Sequence, residues 1–126
     1  MLMNIDLINQ LTENSNRIVI TQNTGFNPKR KVENVVLADL RGIEIVSRFS
    51  SEIEVDTLSR TDPGWMTAPE VYVNFLNKKQ LLFSFGVLLG HWIRSNSWDG
   101  DYAIQNVDWF HDWLVKNGVH FFEKDT

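Results

Sequence analysis

Two short apolar segments meeting head to tail constrain this chain more than anything else in it. Glu70 to Leu76 and Leu81 to Val87 flank Asn77-Lys78-Lys79-Gln80, and Val71, Val73 and Phe75 alternate onto one side of the first segment. Period-two alternation on both sides of a four-residue polar break predicts a β-hairpin, since successive strand side chains point to opposite faces. A hairpin with one apolar face must cover that face. The rest of the chain is therefore read for what pairs with it and what packs on it.

Arg17 to Gln22 (RIVITQ) is short and β-branched and predicts a strand. Val32 to Leu40 fits both a helix and a strand, and the strand is the chosen reading. Gly42 permits a turn or bulge before Ile43 to Phe49, where Ile43 and Ile45 alternate with Glu44 and Val46 as in a strand. Glu52 to Leu58 alternates more cleanly, with Ile53, Val55 and Thr57 opposing Glu52, Glu54 and Asp56. Ser59 to Glu70, with two prolines and a glycine, predicts a loop carrying Trp65. The second hairpin arm is expected to run on through Leu88 to Ser95, because Gly86 and Gly90 disfavour a helix among large apolar neighbours.

Helices are expected at the two ends. Asn4 can cap a segment to Asn14 in which Ile5, Leu7, Ile8 and Leu11 share one side. Asn106 can cap Val107 to Asn117, which Gly118 would end. On that last segment Val107, Trp109, Phe110, Trp113 and Leu114 form one arc, opposite Asp108, Asp112 and Lys116. The fold class expected is α+β: a single antiparallel β-sheet packed against an N-terminal and a C-terminal helix. At 126 residues this is one domain of ordinary size.

Hydrophobic residues at 43% and charged residues at 22% suit a globular chain. No cysteine is present, which removes disulfides and thiolate metal sites. The opening residues lack the features of a secretion signal, and the apolar run from Leu81 to Ile93 is broken and shorter than the ~20 residues a membrane helix needs. A cytoplasmic protein without membrane contact is the expectation.

The net charge of −4 is unevenly spread. Arg17, Lys29, Arg30 and Lys31 make residues 17–31 positive, and the loop tip at Lys29 to Lys31 is a candidate anion contact. Residues 39–70 hold seven acids against three bases, and 96–112 hold Asp99, Asp101, Asp108 and Asp112 without a base. Such acidity attracts basic proteins and repels nucleic-acid backbones, so no nucleic-acid partner is expected.

Catalytic and cofactor signatures are weak. His91, His111 and His120 have no diagnostic metal spacing, and Asp99-Gly100-Asp101 lacks the further ligands of a calcium loop. Asp99 with Asp101, or Glu52 with Glu54, could form a carboxylate pair, although acids two apart on a strand simply share a solvent face. No nucleophile elbow or phosphate loop occurs, so no cofactor is expected. The positive signal is aromatic. Tryptophans beside acids make binding anchors, and Trp65 and Trp98, in polar loops, are the candidates. Core packing is the competing reading, strongest for Trp109 and Trp113.

In build, an acidic, cysteine-free α+β domain of this kind resembles the immunity proteins of bacterial polymorphic-toxin and contact-dependent-inhibition systems. The resemblance implies a cytoplasmic inhibitor that neutralises a cognate toxin domain, basic and nuclease-like. Asp99, Asp101, Glu52, Glu54 and Asp56 would then mimic phosphates, and Trp65 and Trp98 would anchor. A small enzyme or ligand-binding module is the alternative, its pocket between the last helix and the sheet and lined by Trp92, Trp109, His91 and His111. A self-assembling adaptor is a third reading, and a homodimer is compatible with any of them.

Overall fold

The structure is a computed structural model that describes residues 3–4, 6–23, 34–62, 64–120 and 122. It has an α+β fold built on one antiparallel sheet of seven strands and three helices. In chain order these are α1 (Leu7–Thr12), β1 (Arg17–Asn23), β2 (Asn34–Arg41), α2 (Ile43–Glu52), β3 (Val55–Thr61), β4 (Val71–Asn77), β5 (Gln80–Leu88), β6 (Trp92–Arg94), β7 (Asp101–Ile104) and α3 (Val107–Lys116). The strands lie side by side as β2-β1-β4-β5-β6-β7-β3.

The hairpin read first from the sequence is the middle of this sheet. Val73 sits opposite Phe85 and Phe75 opposite Phe83, and a bulge between Phe75 and Leu76 resets the register before the turn. Val71, Val73, Phe75, Phe83, Phe85 and Val87 are all buried on one face. Ile18 and Ile20 of β1, Ile93 of β6, and Tyr102 and Ile104 of β7 extend that face sideways.

The helices close it. Phe49 of α2 is fully buried and touches Phe75 and Phe85 of the sheet as well as Trp109, Phe110 and Trp113 of α3. Leu7 and Ile8 of α1 join the same cluster. Between α1 and α2 the hydroxyls of Thr12 and Ser50 pair at 2.6 Å, which satisfies two buried polar groups. The arc expected on α3 is found: Phe110 and Leu114 are buried, and Trp109 and Trp113 pack on Phe49. Core packing is thus the role of those two indoles.

Three sequence expectations are corrected. Ile43 to Phe49 is not a strand but the first two turns of α2. Its buried residues are Val46, Phe49 and Ser50, a helical spacing, whereas Ile43 lies exposed. Gly42, at φ +133°, lets the chain pass from β2 into α2 without a loop. Glu52 consequently belongs to the end of α2, and β3 begins only at Val55.

The second hairpin arm does not continue to Ser95. It stops at Leu88, and Leu89 and Gly90, at φ +53° and +81°, reverse the chain into β6. The N-terminal helix is also shorter than expected, since Asn4 lies ahead of it and its Oδ1 accepts from the Asp6 amide. The segment around Lys29 to Lys31 lies outside the described residues.

Candidate functional site

Side chains on the face of the sheet away from the helices alternate with the core residues, and at β6 and β7 they are Trp92, Arg94, Asp101 and Ala103. The ladder pairs Trp92 with Ala103 and Ile93 with Tyr102, and one further step sets Arg94 beside Asp101. Asp101 is fully buried. Its Oδ1 accepts from Arg94 Nε at 2.9 Å, and its Oδ2 accepts from Arg94 Nη2 at 2.9 Å and from the Trp65 amide at 2.7 Å. This two-pronged contact matches the planar guanidinium fork to a carboxylate. It also raises the Arg94 pKa, chiefly through the hydrogen bond to Asp101 and despite partial burial.

The same guanidinium holds the segment from Asp62 to Glu70. Nη1 donates to the Thr67 carbonyl at 3.0 Å and Nη2 to the Trp65 carbonyl. Two glycines allow the close fit. A Cβ on Gly64 would lie 2.6 Å from Asp101 Oδ2, and one on Gly86 would lie 2.6 Å from Pro69. The loop is a strap fastened across the outer face of the sheet.

What the strap displays is aromatic. Trp65 is 43% exposed and meets Trp92 edge to face, with centroids 5.4 Å apart. The His91 ring lies 5.6 Å from that of Trp92, and Met66 and Leu89 are exposed nearby in the chain. Acids border this patch. Asp62 accepts from Arg60 Nη2 at 2.6 Å, and Arg60 Nε donates to the Asp99 carbonyl at 3.2 Å. The side chains of Asp62 and Asp99 are both exposed.

The seven residues singled out in the sequence therefore separate. Trp65 and Asp99 are exposed at this end of β3. Asp101 is next to them but buried, so it positions the strap and offers nothing to a partner. Trp98 is also buried, 4% exposed against Phe83, and among the described residues its Nε1 has no hydrogen-bond partner. Glu52 and Glu54 lie beyond the opposite end of β3, roughly 20 Å away at ~3.3 Å per residue.

There Glu52 accepts from Trp109 Nε1 at 2.9 Å. Asn106 ties the junction together by accepting from the Glu54 amide and donating to the Glu52 carbonyl, a different use from the helix cap expected of it. Asp56 turns its Oδ1 to the Leu58 amide, a local bend within β3.

Sequence grounds single out neither Arg94 nor Asp62, and Trp92 only as a lining residue of the alternative pocket. The available signal was Trp-Ile-Arg, in which Ile93 faces the core and its two neighbours must face away. The residues of the alternative pocket do not converge: Trp92 is on the outer face with Trp65, whereas Trp109 packs on Phe49 beneath the helices. His111 Nε2 lies 2.7 Å from the Gly90 carbonyl, and His91 Nδ1 lies 3.0 Å from that of Leu89. Among the described residues no group of three His, Cys, Asp or Glu could hold a metal ion, and no helix is long and apolar enough to cross a membrane.

Comparison of the chain with protein-family models, with curated proteins and with solved structures finds no match.

Proposed function

We propose that this protein is a small protein-binding inhibitor of the immunity type, which neutralises a cognate basic toxin domain through the strapped aromatic patch. The observation that supports this reading is the Trp65–Trp92 pair, Trp65 exposed and Trp92 half-buried, held by the clamp of Arg94 on the buried Asp101 and bordered by the carboxylates of Asp62 and Asp99. Exposed indoles on a rigid frame bury large area with little loss of side-chain freedom on binding. Carboxylates at the rim steer a cationic surface toward them and set the register.

In this reading Trp65 and Trp92 anchor, Asp62 and Asp99 meet lysines and arginines of the toxin, and Asp101 acts only by positioning. Glu52, Glu54 and Asp56 are outside the contact. The partner is a protein, the compartment is the cytoplasm, and no cofactor or nucleic acid takes part.

Coexpression with the product of the adjacent gene tests the proposal. A stable complex is expected, its association rate falling with added salt. Trp65→Ala should weaken it by about 2 kcal/mol or more, the range of an interface hot spot. Asp62→Lys with Asp99→Lys should slow association. A complex indifferent to all three substitutions would place the contact elsewhere and refute this surface.

A further inference from the structure

At the far end of the central hairpin from the strap, the β4–β5 turn, the end of β2 and the start of α2 enclose a recess of about 560 Å³. Four cationic residues line it: Arg17, Arg41, Lys78 and Lys79. Arg17 is committed, holding both oxygens of Asp39 at 2.8 and 2.7 Å. Arg41 touches the same carboxylate at only 3.4 Å, with its side chain 73% exposed. Among the described residues the ammonium groups of Lys78 and Lys79 form no ion pair. With Asp39 offsetting Arg17, about three positive charges remain to face the recess.

Lys78 is not what the turn itself asks for. Lys78 has φ +57°, a conformation that glycine or asparagine adopts at lower cost. The backbone there is fixed by Asn16 Oδ1, which accepts from the Lys78 amide at 3.1 Å, and by Arg17 Nη1, which donates to its carbonyl at 3.1 Å. The floor is apolar, with Ile43 68% exposed beside Gly42. Glu44, next to Ile43 in the chain, lines an adjoining groove against α1 that shares Ile43 with the recess, and Glu52 lies at the far end of α2.

We propose that this recess binds a phosphomonoester with an apolar body. Its volume falls in the range of small-molecule sites and exceeds what a bare phosphate would fill. Two lysines without an ion pair among the described residues, together with Arg41, which meets Asp39 only at 3.4 Å, suit a group of charge −1.5 to −2 better than a single carboxylate. Ile43 and the lysine stems would lie under the apolar part. The assignment is independent of the strap and of any protein partner.

Titration calorimetry with phenyl phosphate, inorganic phosphate and benzoate tests it on the intact chain. Saturable binding of phenyl phosphate is expected, tighter than that of either other probe. The double variant Lys78→Asn, Lys79→Gln should weaken it at least about tenfold per lost charge contact, with an unchanged melting temperature, because asparagine tolerates the left-handed turn. Arg41→Gln, far from the turn backbone, should weaken it as well. Absence of saturable binding, equal affinity for benzoate or inorganic phosphate, or unaltered affinity in both variants would overturn the proposal.

Discussion

The two ends of the central hairpin use charge in opposite ways. At the strap, Arg94 and Asp101 are turned onto each other over the sheet, and what faces solvent is Trp65, with Trp92 half-buried against it, and the side chains of Asp99 and of Asp62, the latter paired with Arg60. At the β4–β5 turn the cations themselves face solvent, and the carboxylate present, Asp39, is shared between two arginines. A doubly bonded ion pair on a buried carboxylate fixes geometry, while an open cluster of like charges leaves binding capacity unsatisfied. The first end is therefore read as a surface for a macromolecule and the second as a site for a small anion.

If the clamp organises the strap, its removal should have the largest effect. Asp101→Ala leaves Arg94 facing a void and frees the Trp65 amide, and should lower the unfolding free energy by about 3 kcal/mol in urea titration. A loss near zero would reduce the clamp to an ordinary surface pair. Gly64→Ala drives a methyl into the fixed Asp101 carboxylate at 2.6 Å and should cost about 2 kcal/mol by the same measurement.

The basic end should respond less, and chiefly to pH. The hydrogen bond from Arg17, reinforced by Arg41, lowers the Asp39 pKa to about 2 although partial burial opposes it, against about 4 in an unfolded chain. Because the folded value is the lower one, the pair stabilises fully above pH ~4, and that contribution disappears as pH falls through about 2. The stability gap between the wild type and Asp39→Asn should accordingly close over that interval in acid titration. A gap constant down to pH 2 would show that Asp39 is not held by Arg17. Smallest of all is Lys78→Asn, for which an unchanged or slightly raised melting temperature is expected by calorimetry. A clear drop would make Lys78 a structural residue.

Much of the scaffold was legible in the sequence because its signals are local. The β4–β5 hairpin announces itself by alternation around a polar break, and α3 by the arc of Trp109, Phe110, Trp113 and Leu114. The misread α2 has a physical cause: Ile43 to Val46 offers β-branched residues that mimic a strand, and the helical spacing shows only when Phe49 and Ser50 are included. Gly90 reads as a strand glycine among large apolar neighbours, yet at φ +81° it marks a turn.

The candidate site was harder because burial of a charge depends on its cross-strand partner. Asp101 looks like one more exposed acid until Arg94 is placed opposite it, and that placement needs the Leu89-Gly90 reversal. Trp98, in a polar loop, gave no sign that Phe83 would cover it. Trp65 is conspicuous in its loop and is exposed, whereas the residues that hold it carry no comparable signal.

The most direct test is amide hydrogen exchange at Trp65, whose N–H donates to Asp101 Oδ2 at 2.7 Å. A strap locked to the sheet predicts strong protection of that amide in the wild-type protein and its loss in Asp101→Ala. Exchange at the rate of a free peptide in the wild type would mean that the loop is not fastened, and the aromatic patch would no longer be a prepared surface.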